Sequence, residues 1–403
     1  MNAPLPDLNM PVTMPKGSRI CTCRKSLSLA FSPIVENAPI SPKEAINKYS
    51  SLLMPYEINE IQRFTEIYFL GYPNVKNSKD SYFYDKINSK DHLAYRYEIV
   101  KNLGSGSFGK VIQAIDHKTK KQVAIKILLS TEDSKAEASV LAMLNKHKCS
   151  NTIKGIDYFL FRSHACISFE LLGDNLYTMQ VKDNFRPIRQ SVVKEYAFQI
   201  FTGLRDCAKI GIIHCDLKPE NVCLCLDDSK KIKIIDFGSS CYEDKTFRSY
   251  IQSRYYRSPE VILRLKYGPK IDVWSAALVI IELLIGEPVF PGKNEFEMLN
   301  MMEELLGPVP RSMIKASRKK KYYFNEDLSM KSCPTFEPRK KKITLNTLLG
   351  PDASPQLIDF LSKCLTWKPN YRITALEALD HPWLQRKNFY YSTDSDGLPC
   401  LQK

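Results

Sequence analysis

Two short motifs constrain this chain more than anything else in its 403 residues: HCDLKPEN at 214–221 and DFG at 236–238. Asp216 and Asn221 lie five residues apart, with Lys218 between them. That spacing lets Asp216 reach a substrate hydroxyl while Asn221 turns back to hold a metal ion. Lys218 is then placed to neutralise a phosphoryl group in flight. A strand-like run, KIKII (231–235), ends at Asp236, where a second carboxylate can bind metal that bridges phosphates. The joint spacing, more than either motif alone, points to phosphoryl transfer.

Upstream, LGSGSFGKV (103–111) sets Gly104, Gly106 and Gly109 in the pattern G-x-G-x-x-G. Dinucleotide-binding turns share this pattern, but they run into a helix and reach an acid about twenty residues later. Here KVIQAIDH (110–117) alternates as a second strand, and VAIK (123–126) follows as a third. Glycines let such a hairpin close over phosphates without side-chain obstruction. Val111 and Ala124 would line an adenine slot, and Lys126 would project towards the phosphates. KAEASVLAMLNKH (135–147) is rich in alanine and leucine and predicts a helix. Glu137 near its start can pair with Lys126, whereas Glu132 precedes the helical pattern. Two strands follow, GIDYFLFR (155–162) and ACISFEL (165–171). A hinge from Glu170 to Leu172 would hydrogen-bond adenine through its backbone, with Phe169 behind the nucleotide.

From residue 173 the period turns helical. VVKEYAFQIFTGLRDCA (192–208) puts Tyr196, Ile200 and Leu204 on one face. IDVWSAALVIIELLIG (271–286) is apolar nearly all round and predicts a buried central helix. Asp272 at its start can brace the backbone of the Asp216 loop. Further helices are expected at 295–306, 355–365 and 374–379, and Arg372 is the expected partner of Glu260.

Residues 1–40 are rich in proline and serine without a period, and read as a disordered tail. Residues 42–71 carry two short helical patterns broken at Pro55 and end in EIYFLG (66–71), too apolar for a linker. After the polar NVKNSKDS (74–81), the end of DHLAYRYEIV (91–100) alternates like a strand; 385–403 reads as a polar tail. The net charge of +14 includes RKKK runs at 318–321 and 339–342, read as a solvated insert. Aromatic and basic residues do not interleave, so no nucleic-acid partner is expected. The twelve cysteines are scattered through apolar stretches, and the pairs Cys21/Cys23 and Cys223/Cys225 lack further zinc ligands. Core thiols in a reducing, intracellular compartment follow, whether cytoplasm or nucleus. The N-terminus has no apolar signal segment. AALVIIELLI (276–285), which carries Glu282, is too short to span a bilayer, so no membrane partner is expected.

With these residues in place, the chain resembles a eukaryotic protein kinase over 97–384. Within the CMGC group it closely resembles the dual-specificity tyrosine-phosphorylation-regulated kinase (DYRK) family. The narrowing rests on the cysteine in HCDLKPEN, on DFGSSC (236–241) and on YIQSRYYRSPE (250–260). EIYFLG and DHLAYRYE (91–98) look like the accessory region and DH box of the family's second class, extending the resemblance over 42–384. Homeodomain-interacting kinases share QSRYYR but usually have alanine in place of Cys215.

The resemblance implies a bilobal α+β fold. An accessory region (41–96) would precede a small lobe (97–172) and a large lobe (173–384). It implies ATP and Mg2+ as cofactors, the metal on Asn221 and Asp236, and Asp216, Lys218, Lys126 and Glu137 as the catalytic set. Leu103, the three loop glycines, Val111, Ala124, Phe169, Glu170, Leu172, Cys223 and Ile235 would contact the nucleotide. Tyr250 would be autophosphorylated. Cys215 cannot neutralise its phosphate as the usual arginine would, so Arg254 and Arg257 are the expected substitutes. Protein substrates would be modified on Ser or Thr followed by proline, with an upstream arginine received by Glu220 or Glu282. The chain departs from the family at Arg248, where a first tyrosine is common, and at Cys223, where leucine usually floors the adenine. Ala277 replaces a frequent glycine, and the loop entering the Glu137 helix is short. A catalytically dead scaffold of the same fold is the alternative, although every lysine, metal and base position is filled.

Overall fold

The computed structural model describes residues 32–76, 87–106, 109–129, 131–245, 250–339, 343–385, 391–393 and 399–401. Its first helix, α1 (Pro42–Tyr49), starts at proline after an N-cap serine: Ser41 accepts the backbone N–H of Glu44. A one-turn helix, α2 (Glu57–Glu60), follows beyond Pro55. A six-stranded antiparallel sheet comes next. It consists of β1 (His92–Leu93), β2 (Tyr97–Gly106), β3 (Gly109–Asp116), β4 (Lys121–Leu128), β5 (Gly155–Phe161) and β6 (His164–Glu170), in the order β1-β2-β3-β4-β6-β5.

The early segment and the sheet share one core. Ile40, Ala45, Ile61, Ile67 and Leu70 are buried in the same cluster as Tyr97, Ile112, Val123 and Ile125. Backbone N–H groups of Tyr68 and Phe69 both donate to the Tyr95 carbonyl, at 2.9 and 3.1 Å. One sequence expectation changes as a result. The tail does not extend to residue 40: Val35 and Ile40 are buried, and Ile34 and Ile40 form bridges with Phe69 and Ile67. Proline and serine masked the few apolar anchors there. Residues 1–31 lie outside the described residues. The segment before residue 97 also shares its core with the strands that follow, because β1 already belongs to the sheet.

Charge reinforces this union. Glu57 is wholly buried; its carboxylate accepts from Lys76 Nζ at 2.5 Å, Arg162 Nη2 at 3.2 Å and the Met54 N–H at 2.9 Å. His92 Nε2 lies 2.7 Å from Glu57 Oε1. Arg162, at the β5–β6 turn, also donates to Glu60 at 2.9 Å, and Tyr95 donates its hydroxyl to Glu60 at 2.8 Å. Burial alone would raise the Glu57 carboxyl, but His92 and Lys76 pull it down to about 2. Glu57, Glu60 and His92 could suit a metal by ligand type, yet Lys76 and Arg162 already bring the positive charge.

Helix α3 (Thr131–Lys146) begins four residues before the expected start, so Glu132 lies in its first turn. The helical half contains α4 (Leu176–Lys182), α5 (Gln190–Lys209), α6 (Pro259–Ile262), α7 (Lys270–Ile285) and α8 (Glu295–Leu306). Tyr196, Ile200 and Leu204 on α5 are all buried, and α7 is buried from Ile271 to Leu283. Short pairs β7 (Ile212–Ile213) with β10 (Cys241–Tyr242), and β8 (Val222–Leu224) with β9 (Ile232–Ile234), frame the central loop. Arg372 meets Glu260 through two hydrogen bonds, 2.6 and 2.9 Å, in full burial.

Further helices run at Pro355–Cys364 and Ala375–Leu379. The first RKKK run is not merely solvated: it enters a short helix, Lys320–Tyr323, that buries Tyr323. The tail after 384 contains a strand pair, Tyr391–Thr393 with Pro399–Leu401. Cys223 is buried on β8 and Cys225 falls beyond the strand end; among the described residues neither joins a metal-ligand cluster. No helix among the described residues is long and apolar enough to cross a membrane.

Glu57→Ala would leave Lys76 and His92 buried without their carboxylate, while Arg162 would keep Glu60. Breaking a buried ion pair from one side costs ~3–5 kcal/mol, so the thermal unfolding midpoint should fall by ~5 °C or more. A midpoint within a degree of the parent would show that this cluster does not tie the early segment to the sheet.

Candidate active site

The loop of the first motif hangs from one buried carboxylate. Asp272, at the start of α7, accepts the backbone N–H groups of His214 at 2.7 Å and Cys215 at 3.0 Å. Cys215 has φ of 66°, a left-handed conformation unusual for a residue with a Cβ. Its thiol is wholly buried, 3.5 Å from Cys241 Sγ. His214 Nε2 lies 2.9 Å from the Ile235 carbonyl and its ring meets Phe237 edge-on at 4.9 Å, linking the two motifs.

Asp216 is then held on both oxygens. Lys218 Nζ donates to Oδ2 at 2.8 Å, and the Ser253 N–H donates to Oδ1 at 2.8 Å. Lys218 also donates to Ser253 Oγ at 3.0 Å. Asn221 turns back to donate its amide to the Asp216 carbonyl at 2.8 Å, leaving its side-chain oxygen for another partner. The β8–β9 hairpin delivers Asp236 with φ of 59°, a second left-handed residue.

Lys126, on β4, donates to Asp236 at 2.8 Å and to both Glu137 oxygens at 2.9 Å. Burial would lower the Lys126 pKa, but Asp236 and Glu137 outweigh it and hold the ammonium above its ordinary value. Burial would likewise raise Asp236; Lys126 instead pulls it below the usual carboxylate range. A Cβ on Gly238 would lie 3.2–3.3 Å from Glu137, Asp236 and Lys126, so the glycine of the second motif leaves room for this triad.

Lys126, Glu137, Asn221 and Asp236 open onto a cleft of about 470 Å³ between sheet and helices. Leu103, Gly104, Val111 and Ala124 line one wall; Cys223 and Ile235 line another. Phe169 and the Glu170–Leu172 segment also border it, as do Lys126, Glu137, Asn221 and Asp236. Two expected members are not on its wall, Gly106 and Gly109. Gly109 has a different reason to be glycine: a Cβ there would fall 2.3 Å from the Ile127 carbonyl oxygen. Sequence reasoning missed Ile153, Asp174, Asn175 and Thr178. Asn175 was findable, because it caps α4 by accepting the Thr178 N–H at 2.7 Å. Ile153 carries no local signal; its backbone pairing with Ile234 puts it there.

A second cavity, about 480 Å³, adjoins Lys218 and Ser253 and brings Glu220 and Glu282 together. Tyr256 donates its hydroxyl to Glu282 at 2.7 Å, while Glu220 Oε2 is buried without a hydrogen bond among the described residues. Burial pushes the Glu282 carboxyl up to about 7, with the Glu220 charge adding to the rise. Arg254 is exposed and lines this same cavity. Arg257 lies 4.2 Å from the ring centre of Tyr250, and its hydrogen bond and charge draw the tyrosine pKa down. Tyr250 is 68% exposed, whereas Arg257 is buried and anchored by Glu295 at 2.8 Å. Arg248 lies outside the described residues.

Residues 97–384 match the protein kinase domain family. Over 379 residues the chain is 38% identical to dual specificity tyrosine-phosphorylation-regulated kinase 4 of Homo sapiens, covering 88% of this chain and 72% of that one. The chain belongs to the DYRK family of protein kinases. Other DYRK relatives agree: kinase 2 of Drosophila melanogaster is 39% identical over 374 residues, covering 87% of this chain and 52% of that one. Kinase 3 of Homo sapiens is 36% identical over 413 residues, covering 93% and 70%. The chain thus spans about half the length of several of the curated DYRK relatives it matches.

Lys126→Arg tests the triad. A planar guanidinium cannot occupy the point-charge position between Glu137 and Asp236. Turnover should fall by about one to two decades, at ~1.4 kcal/mol per decade. An unchanged kcat would mean that the triad is structural only.

Proposed function

We propose that this chain is an ATP- and magnesium-dependent protein kinase that modifies serine and threonine and autophosphorylates Tyr250 during maturation. The observation that carries this reading is one cleft lined by the Lys126–Glu137–Asp236 triad and by Asn221, whose amide is tied to the Asp216 carbonyl of the twice-anchored loop. Asn221 and Asp236 offer a carboxamide and an ionised carboxylate, hard oxygen donors that suit magnesium. When bound there, the ion offsets phosphate charge. Lys126, directed by Glu137, orients the nucleotide phosphates. Asp216 accepts the hydroxyl proton of the acceptor side chain, its rotamer fixed by the Ser253 N–H. Lys218 neutralises charge on the transferred group. The chain chiefly positions and supplies electrostatics, for which turnover of ~1–100 per second is ordinary. The buried thiols fit a reducing compartment, cytoplasm or nucleus.

Asp216→Asn is the direct test. Phosphoryl transfer should be lost while nucleotide binding, followed by fluorescence or calorimetry, stays near the parent value. Parental activity in the mutant would overturn the assignment of the base.

For substrate choice, we infer a serine or threonine followed by proline, with arginine upstream. The two acids of the second cavity support an arginine site, Glu220 with an unpartnered buried oxygen and Glu282 beside it. A charge-assisted hydrogen bond contributes ~1.5–3 kcal/mol. Glu220→Gln should therefore lower kcat/KM on arginine-containing peptides roughly ten- to hundredfold, with much less effect on peptides lacking arginine. Equal losses on both sets would mean that Glu220 only supports the loop.

A pH dependence follows from Glu282. Its carboxyl, raised to about 7, is mostly neutral below that pH and ionised above it. Preference for arginine-containing peptides should climb as pH rises through about 7, and Glu282→Gln should flatten the climb. A flat parental profile would exclude Glu282 from arginine binding.

A further inference from the structure

A cavity of about 780 Å³ lies away from the nucleotide cleft, between the end of α5, the start of α7, the helix Arg311–Ala316 and the first turn of the helix Ala375–Leu379. Its floor is apolar: Leu204, Leu265, Val273, Met313 and Ala375 face it. Leu376, on the rim, is 53% exposed, which leaves a large apolar side chain in water beside an apolar hollow.

The rim is cationic. Five basic side chains line the cavity: Arg205, Lys209, Lys266, Lys270 and Lys368. Arg205 pairs with Asp206, and Lys270 donates to the Arg372 carbonyl. Lys209 and Lys266 are exposed and pair with no carboxylate among the described residues. Against these stand two acids, and Glu260 is already neutralised by Arg372, leaving Glu243. Ala316 on the wall is followed in sequence, two residues on, by the basic run Arg318 to Lys321.

We propose that this groove is a docking site for an acidic peptide segment of a partner protein, one that carries a bulky aliphatic or aromatic side chain. The apolar floor takes the side chain, and Lys209 and Lys266 face the carboxylates. Charge complementarity of this kind sets partner choice and encounter rate, and a buried apolar anchor supplies most of the affinity. A concave, apolar-floored hollow fits a protruding side chain. The phosphate backbone of a nucleic acid has no such group to insert, and a bilayer cannot enter a recess of this shape. The groove borders none of the groups of the nucleotide cleft, so the inference stands apart from the proposed activity.

The test is an array of twelve-residue peptides in which four glutamates flank one leucine or phenylalanine. Control arrays carry serine in place of the apolar residue or lysine in place of the glutamates. The full chain is the binding partner. Peptides with both features should bind best, and the strongest is then titrated by fluorescence polarisation. Lys209→Glu with Lys266→Glu, and separately Leu376→Glu, should each weaken binding about tenfold or more, ~1.4 kcal/mol per decade. All three positions are exposed, so activity on a short generic peptide should stay at the parent level and report that the fold is intact. An array with no preference for the combined features would overturn the proposal, as would an affinity indifferent to both variants. Vesicles containing phosphatidylserine and a twenty-base-pair DNA duplex complete the comparison. If the lysine variant lost binding to either of these and not to peptide, the surface would belong to that ligand, and the peptide assignment would fall.

Discussion

The carboxylate of Asp272 is the constraint on which the rest of the active site depends. It sits wholly inside the protein and takes two backbone hydrogen bonds from the chain immediately before Asp216. Burial raises its pKa, so those N–H donors and nearby His214 must compensate for lost solvent. The gain is geometric. A loop with a left-handed residue at 215 has no intrinsic reason to keep that shape, and Asp272 fixes it to a helix that cannot move without disturbing the core. Asp216, Lys218 and Asn221 inherit their positions from that one attachment.

The sheet half solves a different problem. Lys126 must stay charged although it is largely buried, and two acids from separate elements make that possible: Glu137 on α3 and Asp236 on the far side of the cleft. The triad therefore reports on how sheet and helices sit relative to each other. The segment before the sheet adds stiffness from outside through the Glu57 cluster and through apolar residues that join the core of the strands. Removing such a segment would expose part of a shared core, which is why its early residues cannot be treated as a tail.

Much of this was legible in the sequence, for identifiable reasons. Helix α7 stood out because its apolar residues go nearly all the way round, and a helix of that kind must be interior. The Lys126–Glu137 and Arg372–Glu260 pairs followed from motif spacing, and both exist. Other features had no local signal. The start of α3 is polar, TEDS, so propensity placed the helix late. Val35 and Ile40 are isolated among prolines and look like tail until the strand-like run at 67–70 is there to receive them. Gly109 was assigned to phosphate contact because the glycine pattern suggested it; the close approach of the Ile127 carbonyl is a tertiary fact. Arg254 and Arg257 were grouped by adjacency, yet one faces the acidic cavity and the other stacks on Tyr250.

Helix α7 also relates the two surfaces that stand apart from the nucleotide cleft. Glu282, near its C-terminal end, contributes to the acidic cavity beside Lys218, whereas Lys270 and Val273, at its N-terminal end, contribute to the cationic groove. At 1.5 Å per residue these contributions are separated by roughly 13–18 Å along one rigid rod. Asp272 lies next to Val273 on that rod. A single buried helix thus carries a carboxylate that shapes the catalytic loop, an acid suited to a cation, and part of a hollow suited to an anion. The opposite charges at its two ends cannot neutralise each other at that distance in salt, where the screening length is about 8–10 Å. The two ends thus present surroundings of opposite sign, an acid-lined recess next to the catalytic loop and a cationic groove.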